Sequence, residues 1–243
     1  PYTWGRWWAQ VLTELGADVG SVAETRLTGE SAHAQALKGM LDGGWTAVSH
    51  NSQCGEGWDA SGPRAAGVLI AVRSDYVGSW DMVARDKHGR AVAGSITTKN
   101  GQLVRVVGTH GVPGASLPGF AYNARDVTVE KDLCEFVVHE QSLADAQGRV
   151  LVVMGDMNSI SSLDLDRWGG TYQIRDASFA RTLQETGFLD TFRTLHPATR
   201  AFTYFTEHGS ASRLDQIWIY VPPAIEVTIC NAAVVWRWLK KAD

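Results

Sequence analysis

With 243 residues, 44% of them hydrophobic and 20% charged, the chain can bury the core of one domain or at most two, and no composition shift or repeat divides it, so a single domain over 1–243 is expected. The net charge of -4 and pI near 6.0 exclude coating nucleic acid with bulk positive charge, but not an enzyme that handles a few phosphates through a metal ion. No run approaches the roughly 18 apolar residues of a membrane span and no leader pattern opens the chain, so no membrane partner is expected and the setting is read as intracellular, nucleus or cytoplasm.

Trp4, Trp7, Trp8, Val11, Leu12 and Leu15 recur at three- and four-residue spacing and predict a helix that ends at Gly16. Residues 19–23 are small or β-branched, fit a buried strand and deliver Glu24 at its C-terminal end. A second helix is expected over 31–41, and the Gly/Ser/Asn-rich stretch 43–63 reads as loop or irregular hairpin. Residues 66–72 form a continuous apolar run typical of a strand buried on both faces. Two further strands, 91–97 and 103–109, flank an Asn100-Gly101 turn, and the second delivers His110.

Apolar positions over 123–143 predict a long amphipathic helix. The run 150–154 then delivers Gly155-Asp156-Met157-Asn158. A short helix closes at Gly187, and strands are expected over 201–205 and 214–221, with Trp236 and Trp238 spaced as on a strand face. Strands that alternate with helices but also form hairpins point to an α/β fold, a two-sheet sandwich with outer helices. The ten tryptophans raise the question of a stacking surface for single strands, but the helical spacing of Trp4, Trp7 and Trp8 fits core packing better. Cys54, Cys134 and Cys230 show no metal or disulfide spacing and are read as free thiols.

Glu24, Asp156 and Asp215 each lie at or within an expected strand, where α/β sheets place their ligands. Singly, each could cap a helix or pair with an arginine. Jointly, they are oxygen donors from separate strands, the type of site that holds a hard cation with one or two carboxylates, waters and a substrate phosphate. His110 ends a strand ahead of a Gly/Pro turn, where it could act as general acid or stabilise charge on a phosphodiester; a lone histidine is more often structural.

Ala23-Glu24-Thr25-Arg26 resembles the "Q-E-T" segment of the endonuclease/exonuclease/phosphatase superfamily, Gly155-Asp156-Met157-Asn158 its G-D-x-N motif, and Ser212-Arg213-Leu214-Asp215-Gln216-Ile217 its S-R-I-D-x-I strand. The "G-G-V-x-I" strand (64–72) and a D-x-F-R-x-x-H-P stretch (Asp190 to Pro197, with Thr203-Tyr204 after it) fall in the same order, the latter as in the exonuclease III and retrotransposon-endonuclease branches. The resemblance implies a deoxyribonuclease-like fold and a nuclease dependent on Mg²⁺ or Mn²⁺, in which Glu24 ligates the metal, Asp156 and Asn158 orient water and hold the phosphate, and Asp215 serves the phosphate or a second metal. His110 resembles the histidine of the "H-S-A-P" motif of pancreatic deoxyribonuclease, where abasic-site endonucleases carry tyrosine. The family resemblance further implies a nucleic-acid partner, DNA ahead of RNA, and its branch-typical stretch points to a place in a retroelement polyprotein. The family's opening N-x-R-G-like strand and closing S-D-H motif are not found, so the domain is expected to be truncated at both ends and to turn over little as it stands. Two other readings stay open: a lipid or inositol phosphate phosphodiesterase or phosphatase, and a degenerate module that binds nucleic acid or acts as scaffold without catalysis.

Overall fold

The structure, a computed structural model, describes residues 1–27, 29–50, 67–76, 80–98, 100–113, 124–169 and 178–234. Helix α1 (Tyr2–Glu14), strand β1 (Val19–Ala23), helix α2 (Gly29–Asp42) and strands β2 (Trp45–His50) and β3 (Val68–Arg73) form the first half, in which β3 lies between β1 and β2 in an antiparallel sheet. Strands β4 (Asp81–Arg85), β5 (Ala91–Thr97) and β6 (Leu103–His110), helix α3 (Ala124–Ala146) and strand β7 (Val150–Asp156) follow. Next come α4 (Leu163–Asp166), β8 (Arg167–Trp168), α5 (Phe179–Glu185), β9 (Leu189–Asp190), α6 (Thr191–Leu195), β10 (Tyr204–Phe205), β11 (Ala211–Ser212) and β12 (Asp215–Tyr220). The larger sheet runs β4-β5-β6-β7-β12-β9, and only its β6–β7 pair is parallel among these strands, with α3 in the crossover.

Three apolar clusters show why these layers stack. Alternate residues of β3 point opposite ways: Leu69 and Ala71 pack with Ala9, Leu12 and Met40 of the helices, while Val68, Ile70 and Val72 meet Val92, Ile96 and Val106 of the larger sheet. The other face of the larger sheet, with Val107, Leu151, Val153 and Trp218, packs against Leu133 and Val137 of α3 and Phe179 and Leu183 of α5. The result is helix, sheet, sheet, helix, the sandwich with outer helices expected from the sequence. It also explains why β3 and β7 read as continuous apolar runs.

Corrections to the expected elements are local. The stretch read as loop or irregular hairpin contains β2, paired antiparallel with β3; Trp45 of β2 is buried with Met40 and Leu69 while Thr46, Ala47 and Val48 are only half buried, so its periodicity is weak. The strand expected over 201–205 is only β10, which joins β11 and β8 in a small third sheet that was not foreseen. Residues 51–66, part of the "G-G-V-x-I" reading, Cys54, Trp236 and Trp238 lie outside the described residues. Cys134 and Cys230 are free thiols, and no described helix is long and apolar enough to cross a membrane.

Candidate active site

Register brings three of the sequence-selected residues side by side. His110, the last residue of β6, is the partner of Asp156, the last residue of β7, and Asp156 is in turn the partner of Asp215, the first residue of the antiparallel β12. Both carboxylates and the imidazole therefore occupy one end of the larger sheet. Glu24 reaches the same end from the smaller sheet, one residue beyond β1, with its Oε1 3.7 Å from His110 Nε2. Asn158 follows in the turn after β7: its backbone N–H donates to Asp156 Oδ1 at 2.8 Å and its side-chain Nδ2 to the Gly111 carbonyl at 3.1 Å.

Two glycines make this convergence possible. A Cβ on Gly155, whose φ is +144°, would stand 2.0 Å from the Thr109 carbonyl oxygen, so β6 and β7 could not close up just before Asp156. At Gly111 a Cβ would stand 1.9 Å from the Met157 carbonyl oxygen, in the turn where Gly111 N–H donates to the Asp156 carbonyl at 2.7 Å. Glu24 (φ 52°) and Asn158 (φ 47°) are two of the four non-glycine residues with positive φ among those described. Asparagine tolerates that region well and glutamate poorly; such backbone, which costs on the order of 1–3 kcal/mol per residue, clusters at functional sites.

Electrostatics separate the titratable groups. Burial pushes the Asp156 carboxyl up to about 7, the nearby Asp215 and Glu24 add to this, and the Asn158 N–H and Arg90 oppose it. Asp215 is also pushed upward by its protein surroundings, against the Thr203 hydroxyl that bonds to it; solvent reaches this side chain and tempers the effect. His110 is fully buried, and desolvation, with Arg90 and then Arg26, drives its pKa down to about 3. The imidazole is therefore neutral at physiological pH, its 3.7 Å approach to Glu24 is not an ion pair, and neither ring nitrogen has a hydrogen-bond partner within the described protein. Glu24 is half exposed and pairs with Arg26 at 2.9 Å.

Sequence reading missed Arg90. Its guanidinium donates to the carbonyls of His110 (3.1 Å) and Gly111 (2.8 Å), the second of which also receives Asn158, so one cation pins the turn on which the site is built. Asp86 in turn accepts from the backbone N–H groups of His88, Arg90 and Ala91. The only signal in the sequence is a charged pair around a Gly-containing turn.

The D-x-F-R stretch and the arginine beside Asp215 prove to be scaffold. Asp166 is fully buried and accepts from Arg213 Nε (2.7 Å) and from Arg193, while Asp190 caps α6 through Phe192 N–H and Arg193 N–H and pairs with Arg213. Thr203 Oγ1 accepts from the backbone N–H groups of Leu214 and Asp215, both at 2.9 Å, and so fixes the start of β12. Four of the other described histidines bond elsewhere: His33 to Ser49, His50 to the Asp86 carbonyl, His88 to Asp132 and His196 to the Ala232 carbonyl.

For a divalent cation the donor chemistry fits: the acids are oxygen ligands, and their mutual repulsion is what a cation relieves. Among the described residues no three His, Cys, Asp or Glu side chains close into a cage, an arrangement compatible with a cation that keeps several waters. A cleft of about 550 Å³ adjoins the site, but of the sequence-selected residues only Asp215 lines it, together with Ser21, Gly155, Thr203 and Ile217.

Comparison with known proteins agrees with this architecture. A 3'-5' exonuclease (NExo) from Neisseria meningitidis superposes with a TM-score of 0.57 at 22% identity, covering 90% of this chain and 83% of that one. The catalytic domain of Xenopus laevis APE2 gives a TM-score of 0.63 at 16% identity over 87% and 76% of the two chains. D. rerio TDP2 complexed with a single-strand DNA product gives 0.54 at 15% identity over 92% and 78%. At these identities the likeness establishes the fold. No curated protein matches in sequence. Residues 3–233 match the Endonuclease/Exonuclease/phosphatase family, and the chain belongs to that family.

Proposed function

We propose that the protein is a metal-dependent phosphodiesterase that hydrolyses nucleic acid, DNA ahead of RNA. The observation that carries this reading is the row His110, Asp156 and Asp215 across three adjacent strand ends, with Glu24 facing it from the other sheet. Support for a nucleic-acid substrate comes from family membership and from relatives of the same fold described with DNA products. A place in a retroelement polyprotein has only the branch-typical D-x-F-R stretch behind it.

Glu24, with Asp215 as a second carboxylate, would hold Mg²⁺ or Mn²⁺, which supplies activation of water and neutralisation of the charge that develops on the phosphate. Asp156 takes the proton of the attacking water; a carboxyl poised near 7 is matched to that work at neutral pH. Asn158, its backbone held by Asp156 and its amide by Gly111, orients a phosphate oxygen. Neutral His110 offers one N–H as donor to the phosphodiester in a site where water does not compete.

The test is turnover of the full-length protein on plasmid, on labelled DNA and RNA strands and on phosphoinositides, with Mg²⁺, Mn²⁺ or EDTA. Cleavage of nucleic acid that needs metal and is lost in Asp156→Ala is the expected result. Turnover of phosphoinositides alone, or metal-independent cleavage, overturns the proposal.

A further inference from the structure

The exposed aromatic residues of the described chain are not scattered. Trp168 (56% exposed), Tyr204 (52%) and Phe205 (58%) all belong to the small sheet β10-β11-β8, an uncommon concentration for a water-facing surface. Cross-strand register sorts them by face. Phe205, Ala211 and Trp168 are partners in one row, and Tyr204, Ser212 and Arg167 in the next. Partners directly opposite share a face. The rings of Phe205 and Trp168 thus rise on either side of Ala211, from backbones roughly 10 Å apart, two strand spacings.

Both rings have a fixed packing partner, and that of Trp168 is positively charged. Arg200 lies over the Trp168 ring, 5.4 Å from its centroid, and its Nε donates to the Asp164 carbonyl at 3.1 Å. Phe202 meets Phe205 edge-on at 6.3 Å. On the other face Arg167 donates to Ser212 Oγ at 2.8 Å. The sheet is also tied to the candidate active site. Thr203, whose hydroxyl holds the start of β12 at Asp215, directly precedes Tyr204 and Phe205, and Trp168 stands two residues after Asp166, which is paired with Arg213 in the segment leading to Asp215.

From this placement we infer that Trp168 and Phe205, with Arg200 beside them, form a stacking face for unpaired bases, so that the strand cleaved at Asp156 and Asp215 is held single-stranded where it crosses the small sheet. The inference rests on the nuclease reading and adds the substrate class. Base stacking on aromatic rings tolerates any sequence, and arginine beside the rings supplies the phosphate attraction that a chain of net charge -4 lacks overall. The Trp168 ring carries a guanidinium and Phe205 packs edge-on with Phe202, so the face joins aromatic rings to positive charge, the pairing that unpaired bases and their phosphates require.

Binding in EDTA separates this from catalysis. Fluorescence anisotropy of labelled 20-mers, oligo(dT), oligo(U) and a DNA duplex, is measured for the full chain and for Trp168→Ala, Phe205→Ala and Trp168→Phe, with thermal melts to show that each variant is folded. Each alanine variant is expected to weaken single-strand binding about tenfold, Trp168→Phe to retain most of it, and duplex binding to change less than twofold; the ratio of the two oligonucleotides tells whether DNA or RNA is held. Equal losses on single strand and duplex, or no loss on either, overturn the stacking face while leaving the nuclease reading intact. A wild type that binds no strand overturns the stacking face as well, and only if it also fails in the turnover assay does the nuclease reading fall.

Discussion

Replacing Asp156 with asparagine tests the electrostatic account of the site through stability as well as turnover. The Asp156 carboxyl is raised from 3.8 to about 7, so the folded state binds its proton more tightly than the unfolded state does. The stabilisation from that proton is complete below about pH 4 and is lost as pH rises through about 7, where an ionised Asp156 faces Asp215 and Glu24. The difference between 3.8 and about 7, in which the opposing effect of Arg90 is already included, corresponds to about 4 kcal/mol at full strength; partial solvent access reduces the observable part to about 1–2 kcal/mol. Asparagine keeps an oxygen to accept the Asn158 N–H, now 2.8 Å from Oδ1, so the turn survives the change. In urea melts with EDTA, Asp156→Asn is therefore expected to match wild type near pH 4 and to exceed it by about 1–2 kcal/mol at pH 8. Turnover of the same variant should drop about 100-fold or more, because the group that receives the proton is gone. A variant less stable than wild type at pH 8, or a stability difference that does not change between pH 4 and pH 8, refutes the claim that Asp156 sits in an uncompensated acidic site.

Divalent metal should raise the melting temperature of wild type by an amount equivalent to about 2.7 kcal/mol at 100 times its Kd, and by far less in Glu24→Ala or Asp215→Ala; calorimetry with and without Mn²⁺ checks this, and equal shifts in all three would remove both residues from the metal. Arg213→Ala removes the cation shared by the buried Asp166 and Asp190 carboxylates, leaving Asp166 with Arg193 and Asp190 with its helix cap, and is expected to cost about 3 kcal/mol in denaturant melts. Arg26→Ala breaks only the exposed pair with Glu24, and should cost less than about 1 kcal/mol. Gly155→Ala forces β7 off the Thr109 carbonyl and should lower both stability and metal-induced stabilisation; normal behaviour in both assays would show that the close approach is dispensable.

Much of the fold was legible because burial on both faces leaves a plain mark. Strands β1, β5 and β7 emerge from apolar runs close to their observed bounds, and α1 and α3 from spaced apolar residues in polar surroundings. What stayed hidden was decided by tertiary contact. Strand β2 is anchored by Trp45, but its middle is half buried and the stretch reads only as loop or irregular hairpin. Strands β8, β9, β10 and β11 have two residues each, too few for any period to show, and exist because neighbouring strands lend them hydrogen bonds.

The acidic residues of the site show the same division between what a pattern can reveal and what only packing can. Asp156 and Asp215 stand out in the sequence because each abuts an apolar strand, whereas Asp166 ends the short helix α4 and Asp190 caps α6. Asp166 and Asp190 share Arg213, Asp166 also pairs with Arg193, and this pairing holds Asp166 below the ordinary carboxylate range. Asp156 and Asp215 face each other with Arg90 the nearest named cation, itself committed to the His110 and Gly111 carbonyls, and are pushed up. These four acids thus divide by the availability of an arginine. Two lock the segment that carries β12 into place, and two are left with charge that the fold does not neutralise. A fold that spends its arginines on scaffold acids and withholds them from the acids at one strand end keeps that end attractive to a divalent cation, and it is this uneven pairing, more than any single motif, that argues for a metal-assisted site in this chain.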